Sequence, residues 1–154
     1  MRAWVEGDRE LKRTLRRLDT KLRKKALRRA MRKGARPIRD AARAKAPRRT
    51  SHPKRTEGTP LHKTIVVRSA RKRRGQDEIS VKVTHTRDGA HAHLVEYGTG
   101  PRFQKGRLGA GTGRYVGVMP AQPYMRPAFD SQGATALRVV RYELEREIAA
   151  VRIQ

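Results

Sequence analysis

The sequence predicts an α+β fold with a long N-terminal helix, a small β-sheet and an amphipathic C-terminal helix. Two apolar stripes with helical spacing, one near each end of the chain, enclose segments that are rich in β-branched residues. No apolar run approaches the length of about 18 residues that a membrane span needs. The absence of Cys excludes a disulfide scaffold and any Cys-based metal site. We therefore expect residues 1–154 to form a single domain without a membrane span.

The N-terminal helix is predicted over residues 8–46 as an arm that carries many cations. Gly34 and Pro37 weaken the same turn, so we expect a kink or break there, and Pro47 ends the segment. At about 1.5 Å per residue the arm would be ~55 Å long, which is more than a domain of this size covers by itself. The sequence leaves open whether this helix faces a lumen, a subunit interface or the exterior. The predicted apolar stripe consists of Leu11, Leu15, Leu18, Leu22, Leu27, Met31, Ala35, Ile38 and Ala42.

The predicted β-sheet core covers residues 61–127 and follows a polar linker loop over residues 47–60. Its first two strands are expected over 61–69 and 78–86, and the second alternates, with Ile79, Val81 and Val83 on one face. The basic tip between these strands fits either a solvated turn or a loop that contacts phosphates or a partner. The tip consists of Arg71, Lys72, Arg73 and Arg74, followed by Gly75.

The remaining segments alternate between loops and regular elements. Residues 101–113 form a predicted loop rich in Gly and Arg, residues 115–119 a short strand, and residues 120–127 a turn with several prolines. The C-terminal helix is predicted over residues 127–151. Its expected inner stripe is Leu137, Val140, Leu144, Ile148 and Val151, with Glu143, Glu145 and Glu147 on the other face.

The charge balance makes nucleic-acid binding the first hypothesis about function. The chain has 39 Lys and Arg against 14 Asp and Glu, a formal net charge of +25, and most of the excess lies in residues 1–80. Single-strand binders interleave aromatic residues with their cations, yet Trp4 is the only aromatic residue before Tyr97. The basic half therefore lacks stacking groups, and binding of duplex DNA through phosphates alone stays open.

The sequence offers no convergent catalytic or metal-binding constellation, and we expect no enzyme activity and no cofactor. The Gly-rich segment 109–113 lacks the Lys-Ser/Thr of a phosphate-binding P-loop. His91 and His93 could share a metal if they lie on a strand, but no third ligand is evident. No nucleophilic Cys or Ser elbow is present, and the lack of a clustered His/Glu/Arg site disfavours a basic ribonuclease.

Two blocks of sequence resemble a known family. They are Leu94–Thr99, with the sequence LVEYGT, and Gln122–Phe129, with the sequence QPYMRPAF, which a helix follows directly. Together they resemble the tail-completion, or head–tail joining, proteins of long-tailed bacteriophages, which include minor tail and neck components. The order of the flanking elements agrees with the family across most of the chain. The residues of the two motifs to which we give structural roles are Glu96, Tyr97, Gly98, Thr99, Pro123, Tyr124, Arg126 and Pro127.

The resemblance implies a small antiparallel sheet packed by helices. It also implies a structural subunit of a ring, most often hexameric, in the virion at the head–tail junction, assembled in the host cytoplasm. Partners would be other neck or connector proteins and the tail tube or terminator, with double-stranded DNA passing through the lumen without sequence specificity. The alternatives are the related tail-terminator role and a free, non-catalytic, basic nucleic-acid-binding protein.

Elementary chemistry assigns roles to several motif residues. Gly98 and Gly100 would let the backbone turn sharply, and the two prolines of the second motif would fix the entry into the C-terminal helix. Glu96 is a carboxylate among apolar residues, so it is either an ordinary exposed charge or has a partner, for which Arg126 is the candidate. Tyr97 and Tyr124 are expected in a core or a subunit interface.

Overall fold

Helices and short strands follow one another along the chain, which confirms the α+β fold class. The computed structural model describes Arg13 and residues 20–48, 59–70, 79–103 and 113–152. The strands form two antiparallel pairs, β1 with β2 and β3 with β4. In chain order the elements are α1 (Thr20–Gly34), α2 (Arg36–Lys45), α3 (Leu61–Thr64), β1 (Ile65–Ser69), β2 (Val81–His85), the 3-10 turn Arg87–Gly89, α4 (Ala92–Tyr97), β3 (Thr99–Phe103), β4 (Tyr115–Met119) and α5 (Met125–Arg152).

The N-terminal arm is interrupted where the sequence predicts an interruption. α1 and α2 are separated at Ala35, next to Gly34 and two residues before Pro37. Proline has no N–H to donate to the preceding turn, so the helical ladder cannot run through this point unbroken. The beginning of the predicted arm, residues 8–12 and 14–19, lies outside the described residues.

Contacts within the chain define two compact units, and each combines segments that are distant in sequence. The first unit comprises Met1–Ile38, Val67–Val83 and Gln132–Gln154. The second comprises Arg39–Val66 and Thr84–Ser131. Neither unit corresponds to one continuous stretch of the chain, because both depend on contacts between the N-terminal half and later segments.

In the first unit, α1 packs against α5 through its smallest side chains. The expected stripe is displaced: Leu22 is exposed, and Leu27 and Met31 are only half-buried. Alanine allows two helix backbones to approach more closely than leucine does, so the larger residues lie beside the contact line. Leu11, Leu15 and Leu18 lie outside the described part of the chain. The core of this contact is Ala26, Ala30, Leu144 and Ile148, with Leu27 and Val140 packed against it.

Gly34 continues this line of small residues, at the closest approach of the two helices. A Cβ atom at this position would overlap Val140 Cγ2 and lie 2.9 Å from the Ala136 carbonyl oxygen. Real Cβ atoms do not approach that closely, so α5 would have to shift to accept one. Gly34 therefore has a packing role as well as its effect on the turn.

Two ion pairs flank this helix contact and show that the helices are antiparallel. Lys33 Nζ lies 2.6 Å from Glu143 Oε2, and Arg29 Nη1 lies 3.3 Å from Glu147 Oε2. The prediction that all three glutamates lie on the opposite face of α5 is therefore wrong for these two, which reach the cations of α1. Only Glu145 stays on the exposed side, where it pairs with Arg141 at 2.9 Å.

The C-terminal helix starts two residues before its predicted first residue and confirms most of its stripe. Leu144 and Ile148 are buried and Val140 is partly buried, but Leu137 is exposed. Ala136 is buried instead, because the close approach at Gly34 leaves room for a small residue only. The side chain of Val151 lies outside the described residues.

The first predicted strand is shorter than expected because its first residues form a helical turn. Lys63 N donates to the Pro60 carbonyl oxygen (2.9 Å), and the Thr64 hydroxyl donates to the Leu61 carbonyl oxygen (2.7 Å). These bonds close α3, and the strand begins only at Ile65. Arg43 of α2 then donates two hydrogen bonds to the Ile65 carbonyl oxygen, at 3.0 and 2.8 Å.

The other strands differ from prediction mainly at their ends. β2 begins at Val81 rather than at residue 78, although Ser80 still accepts a hydrogen bond from Ala70 N (2.9 Å). The predicted loop 101–113 is wrong over Pro101–Phe103, which belong to β3; an edge strand tolerates a proline, which has no N–H to pair. β4 has the predicted bounds. The linker residues 49–58 and the loop residues 104–112 lie outside the described residues.

Within the described ranges, no helix has both the length and the apolar character that crossing a membrane requires.

The close approach at Gly34 leads to a stability prediction. Alanine normally favours a helix over glycine by about 1 kcal/mol, but Gly34→Ala should lower the free energy of unfolding by about 1–3 kcal/mol, since its methyl group overlaps Val140. Urea unfolding measures the difference. Gly133→Ala is the matched control, because a Cβ atom there meets nothing within 4 Å and should stabilise α5. Val140→Ala should rescue part of the loss; a stabilised Gly34→Ala protein would contradict the packing role.

Candidate functional site

The first motif folds as a short helix and a turn, not as a strand. α4 begins after His91 and ends at Gly98, whose φ of +76° lies in the region that favours glycine. A Cβ atom on Gly98 would also lie 2.9 Å from both Met119 O and Ala121 N. The turn expected at Gly98 is thus present. Gly100, by contrast, lies within β3, has open space around it and does not have a positive φ.

Glu96 joins the two motifs by accepting three backbone hydrogen bonds at the start of α5. Its Oε2 atom accepts from Tyr124 N (2.9 Å) and Met125 N (3.0 Å), and its Oε1 atom accepts from Arg126 N (3.2 Å). The first N–H groups of a helix have no partner within the helix, and the positive end of the helix dipole favours an anion there. Glu96 is therefore a helix cap supplied by a different element of the fold.

The ionisation of Glu96 reflects this position. Partial burial acts to raise the pKa of Glu96, but the three backbone N–H donors and the charge of Arg126 outweigh it, so that the pKa lies below its ordinary value. The Arg126 side chain is the partner that the sequence suggests for this carboxylate. In the structure the hydrogen bond comes from the backbone N–H of Arg126, and the side chain contributes its charge.

Tyr124 is fully buried, and His85 of β2 contacts its hydroxyl group. The Tyr124 oxygen lies 2.7 Å from His85 Nε2, and the two rings meet edge to face with their centroids 5.8 Å apart. Burial and the nearby charge of Glu96 raise the pKa of Tyr124 to about 12. Burial also lowers the pKa of His85, and the opposing charge of Glu96 does not cancel this effect. Both side chains are therefore neutral at pH 7, as a buried hydrogen-bonded pair requires.

An open cleft of about 440 Å³ lies above this pair. Its walls present two imidazoles, one carboxylate, one guanidinium and two phenol groups, but the carboxylate already holds helix N–H groups and His85 already contacts Tyr124. Glu96, His85 and Tyr124 are thus held by contacts within the fold and do not form a nucleophile–base arrangement. The lining residues are His85, Ala92, His93, Glu96, Tyr97, Pro123, Tyr124, Met125 and Arg126.

The histidines of the first motif do not share a strand. His91 precedes α4 and His93 lies on it, where its Nδ1 atom is 2.9 Å from the Ala90 carbonyl oxygen. Residues two apart on a helix point in different directions, so the geometry for a shared metal is absent. In the part of the chain that the structure describes, no group of three or more potential ligands could hold a metal ion.

The structure brings most of the motif residues into one region. Thr99 accepts a hydrogen bond from Met119 N (3.1 Å) at the base of the β3–β4 hairpin. Pro123 lines the cleft, and Pro127 lies in the first turn of α5, where its missing N–H costs nothing. Tyr97 lies at the cleft with 80% of its surface exposed. Arg71, Lys72, Arg73 and Arg74 lie outside the described residues.

His85 is a residue of this site that was not predicted from the sequence. The signal was the alternation of β2, because His85 has the same parity as Ile79, Val81 and Val83 and so continues the apolar face. A histidine at the end of such a face is expected to find a polar partner in the core. The identity of that partner, Tyr124, depends on a contact across 39 positions of sequence.

The β3–β4 hairpin is a second feature of functional interest, because apolar side chains are exposed on it. The rings of Phe103 and Tyr115 contact each other at a tilt of 57°, with their centroids 5.5 Å apart, but remain 64% and 56% exposed. Val116 and Val118 point to the face of β4 opposite to that of Tyr115, and they are 56% and 54% exposed. A two-stranded hairpin is marginally stable in isolation, and exposed apolar clusters commonly mark contact surfaces. We call these four residues the hairpin patch.

A known protein family matches the N-terminal part of this chain. Residues 9–98 match the model of the HK97-gp10-like family, described as "Bacteriophage HK97-gp10, putative tail-component". The match covers more than half of the chain, so the protein belongs to this family of bacteriophage tail components. Searches of curated proteins and of solved structures found no significant match.

Family membership confirms the resemblance drawn from the two sequence blocks. The matched range contains the first block up to Gly98 and ends before the second block. A tail component is a structural part of the virion and contacts other virion proteins.

The cap formed by Glu96 predicts a defined pH dependence of stability. Glu96→Gln should lower the free energy of unfolding by about 1 kcal/mol at pH 7, because a neutral amide is a weaker partner for the helix N-terminus. The folded-state pKa lies below the ordinary value of 4.5. The stabilisation should therefore be complete above pH 4.5 and disappear as the pH falls through the folded-state pKa.

Urea unfolding of both proteins across this pH range measures the difference. Glu145→Gln is the control, because this carboxylate is half exposed and pairs with Arg141 on its own helix; its cost should stay below about 0.5 kcal/mol. Equal stability of the wild type and Glu96→Gln at pH 7 would refute the capping role.

Proposed function

We propose that the protein is a structural subunit of a tail-completion or neck ring at the phage head–tail junction. Several copies, most often six in a ring of this kind, would join the capsid connector to the tail, and the genomic DNA would pass through the lumen. Membership of a tail-component family over residues 9–98 supports a structural role in the virion. The related tail-terminator role is the alternative within the same class.

The observation that carries the ring proposal is the hairpin patch. The hairpin exposes apolar side chains on both of its faces, and among the described residues each of its strands is paired along one edge only. Burial of apolar area stabilises by about 25 cal/mol per Å², and unpaired strand edges favour pairing with another chain. A second copy of the chain can satisfy both requirements at once, and repetition of that contact around an axis closes a ring.

The large positive charge supports a position beside DNA. A net charge of +25 on a chain of 154 residues disfavours the free, compact subunit through self-repulsion, and a polyanion relieves it. Contacts with phosphates carry no sequence information, which suits DNA that only passes through. A free nucleic-acid-binding protein would share this chemistry, but it would have no need for the exposed hairpin patch.

Mass measurement of the assembly tests the ring and the hairpin patch together. Native mass spectrometry of the purified protein should give a closed oligomer, with six copies expected. Val116→Thr with Val118→Thr keeps the β-branched shape but buries hydroxyl groups, so self-association should weaken about tenfold or more. Val116→Ile with Val118→Ile keeps the surface apolar and should retain the oligomer.

Two outcomes would contradict the proposal. A wild-type monomer that binds duplex DNA and never occurs in virions would contradict the ring and favour the free nucleic-acid-binding protein. An oligomer unaffected by the threonine variant would contradict the role of the hairpin patch. Cross-linking in particles then separates the two ring roles, because a capsid-connector neighbour supports tail completion and a tail-tube neighbour alone supports the terminator.

The basic tip over residues 71–74 provides a separate test of contact with DNA. Changing Arg71, Lys72, Arg73 and Arg74 to Ser should reduce DNA retention or head–tail joining while leaving the fold intact, if the tip faces the lumen. Circular dichroism and the oligomer mass serve as controls for folding and assembly. Unaltered infectivity of phage carrying the change would contradict a lumen position for the tip.

A further inference from the structure

We propose that the outward face of α1 binds the phosphate backbone of duplex DNA. This outer basic face consists of Lys25, Arg28 and Arg32, all of which are exposed. The inference rests on the proposed function in naming DNA as the partner, and it adds the surface that makes the contact. It also assigns an orientation to the basic helix, which the sequence leaves open.

Helical geometry places the three cations opposite the packed side of α1. At 3.6 residues per turn, Lys25, Arg28 and Arg32 fall within a sector of about 60°. Ala26 and Ala30, which pack against α5, point in roughly the opposite direction. The outer basic face therefore does not take part in the contact that holds the first unit together.

Two glutamates of α5 pair with cations at the side of α1 that faces α5. Eight of the 15 residues of α1 are Lys or Arg, and none is acidic. Arg29 and Lys33, at the edge of the contact with α5, pair with Glu147 and Glu143. Among the described residues, Lys25, Arg28 and Arg32 form no ion pair. Their positive potential is therefore directed away from the fold.

The dimensions of this surface match a duplex better than a point-like anion. The seven residue-to-residue steps from Lys25 to Arg32 span about 10 Å along the helix. Duplex DNA presents one phosphate charge per about 1.7 Å, or roughly six over that length. Three long cationic side chains on flexible stems can therefore each reach a separate phosphate.

The composition of the face favours DNA over an acidic protein. The centre of a protein interface is enriched in aromatic and apolar groups and depleted in lysine. The outer basic face contains cations only, and the large apolar residues of α1 lie outside its sector. It also lacks aromatic residues on which unpaired bases could stack, so the contact fits duplex rather than single-stranded nucleic acid.

The salt dependence of DNA binding tests the proposal. Each phosphate contact contributes about 0.9 to the slope of log K against log salt, so Lys25→Gln with Arg28→Gln and Arg32→Gln should reduce the slope by about 2.7. Fluorescence anisotropy with a short DNA duplex of arbitrary sequence, over about 50–200 mM salt, measures it. Glutamine is a good helix former, so α1 should persist. Arg28→Lys with Arg32→Lys should keep the wild-type slope.

A charge-matched control distinguishes this surface from net charge alone. Arg48→Gln, Lys63→Gln and Arg87→Gln also remove one lysine and two arginines, all exposed and all in the second unit. This variant should retain the wild-type slope. An equal loss of slope in both triple variants, or no loss in the variant of the outer basic face, would overturn the proposal. If the triple variant does not fold, Arg28→Gln alone should lower the slope by about 0.9.

Two further measurements separate this inference from the ring. Poly-glutamate serves as the probe for an acidic protein partner, and a variant that loses poly-glutamate binding but keeps its DNA slope would overturn the assignment to DNA. Native mass spectrometry of the same variants reports assembly independently. If the triple variant loses salt slope but the wild type forms no ring, the outer basic face is supported and the ring is refuted. If the wild type forms a ring but the triple variant keeps the wild-type slope, the ring is supported and the outer basic face is refuted.

Discussion

The second unit depends on a single carboxylate placed at the start of a long helix. Glu96 accepts the N–H groups of Tyr124, Met125 and Arg126, which no other group within α5 could satisfy. One side chain thus joins two sequence blocks that lie almost thirty residues apart. The backbone strengthens this connection, since Gln122 N donates to the Val95 carbonyl oxygen at 2.8 Å.

This connection also determines where the β3–β4 hairpin leaves the fold. The hairpin starts directly after Gly98 and returns at Met119, whose N–H group donates to the Thr99 hydroxyl. Its base is therefore tightly held, while Phe103, Tyr115 and the two valines of β4 remain exposed. A rigid base combined with an uncovered apolar surface is suited to assembly, because fewer degrees of freedom are lost when the hairpin docks. The motif residues thus contribute indirectly to the proposed ring by positioning the hairpin.

The sequence predicts the local features of this fold well and the contacts between distant residues poorly. The break beside Gly34, the bounds of β4 and the start of α5 follow from proline, glycine and β-branched residues acting on their own neighbours. The packed side of α1 is missed by one position, because apolar size suggests Leu27, whereas close helix approach selects Ala26. The composition of α1 alone does not show how closely α5 approaches it.

The same limit applies to the candidate site. A carboxylate among apolar residues is expected to have a partner, so the sequence predicts one for Glu96. Charge complementarity suggests a cationic side chain, whereas the partners in the structure are backbone N–H groups. The burial of Tyr124 can be predicted from the sequence, but its contact with His85 cannot. Each of these contacts depends on which segments the fold brings together, and that information is absent from either segment alone.

The distribution of acidic residues explains how so basic a chain can fold and what it then presents outward. Glu143 and Glu147 neutralise cations at the contact between α1 and α5, and Glu96 neutralises a helix terminus. These three carboxylates thus lie where uncompensated charge would oppose folding. The cations of the outer basic face are left facing solvent, with a spacing along α1 that is comparable to the Debye length of about 8 Å at physiological salt. In a ring of such subunits this repulsion would grow with every copy, so assembly and the binding of a polyanion would reinforce each other thermodynamically.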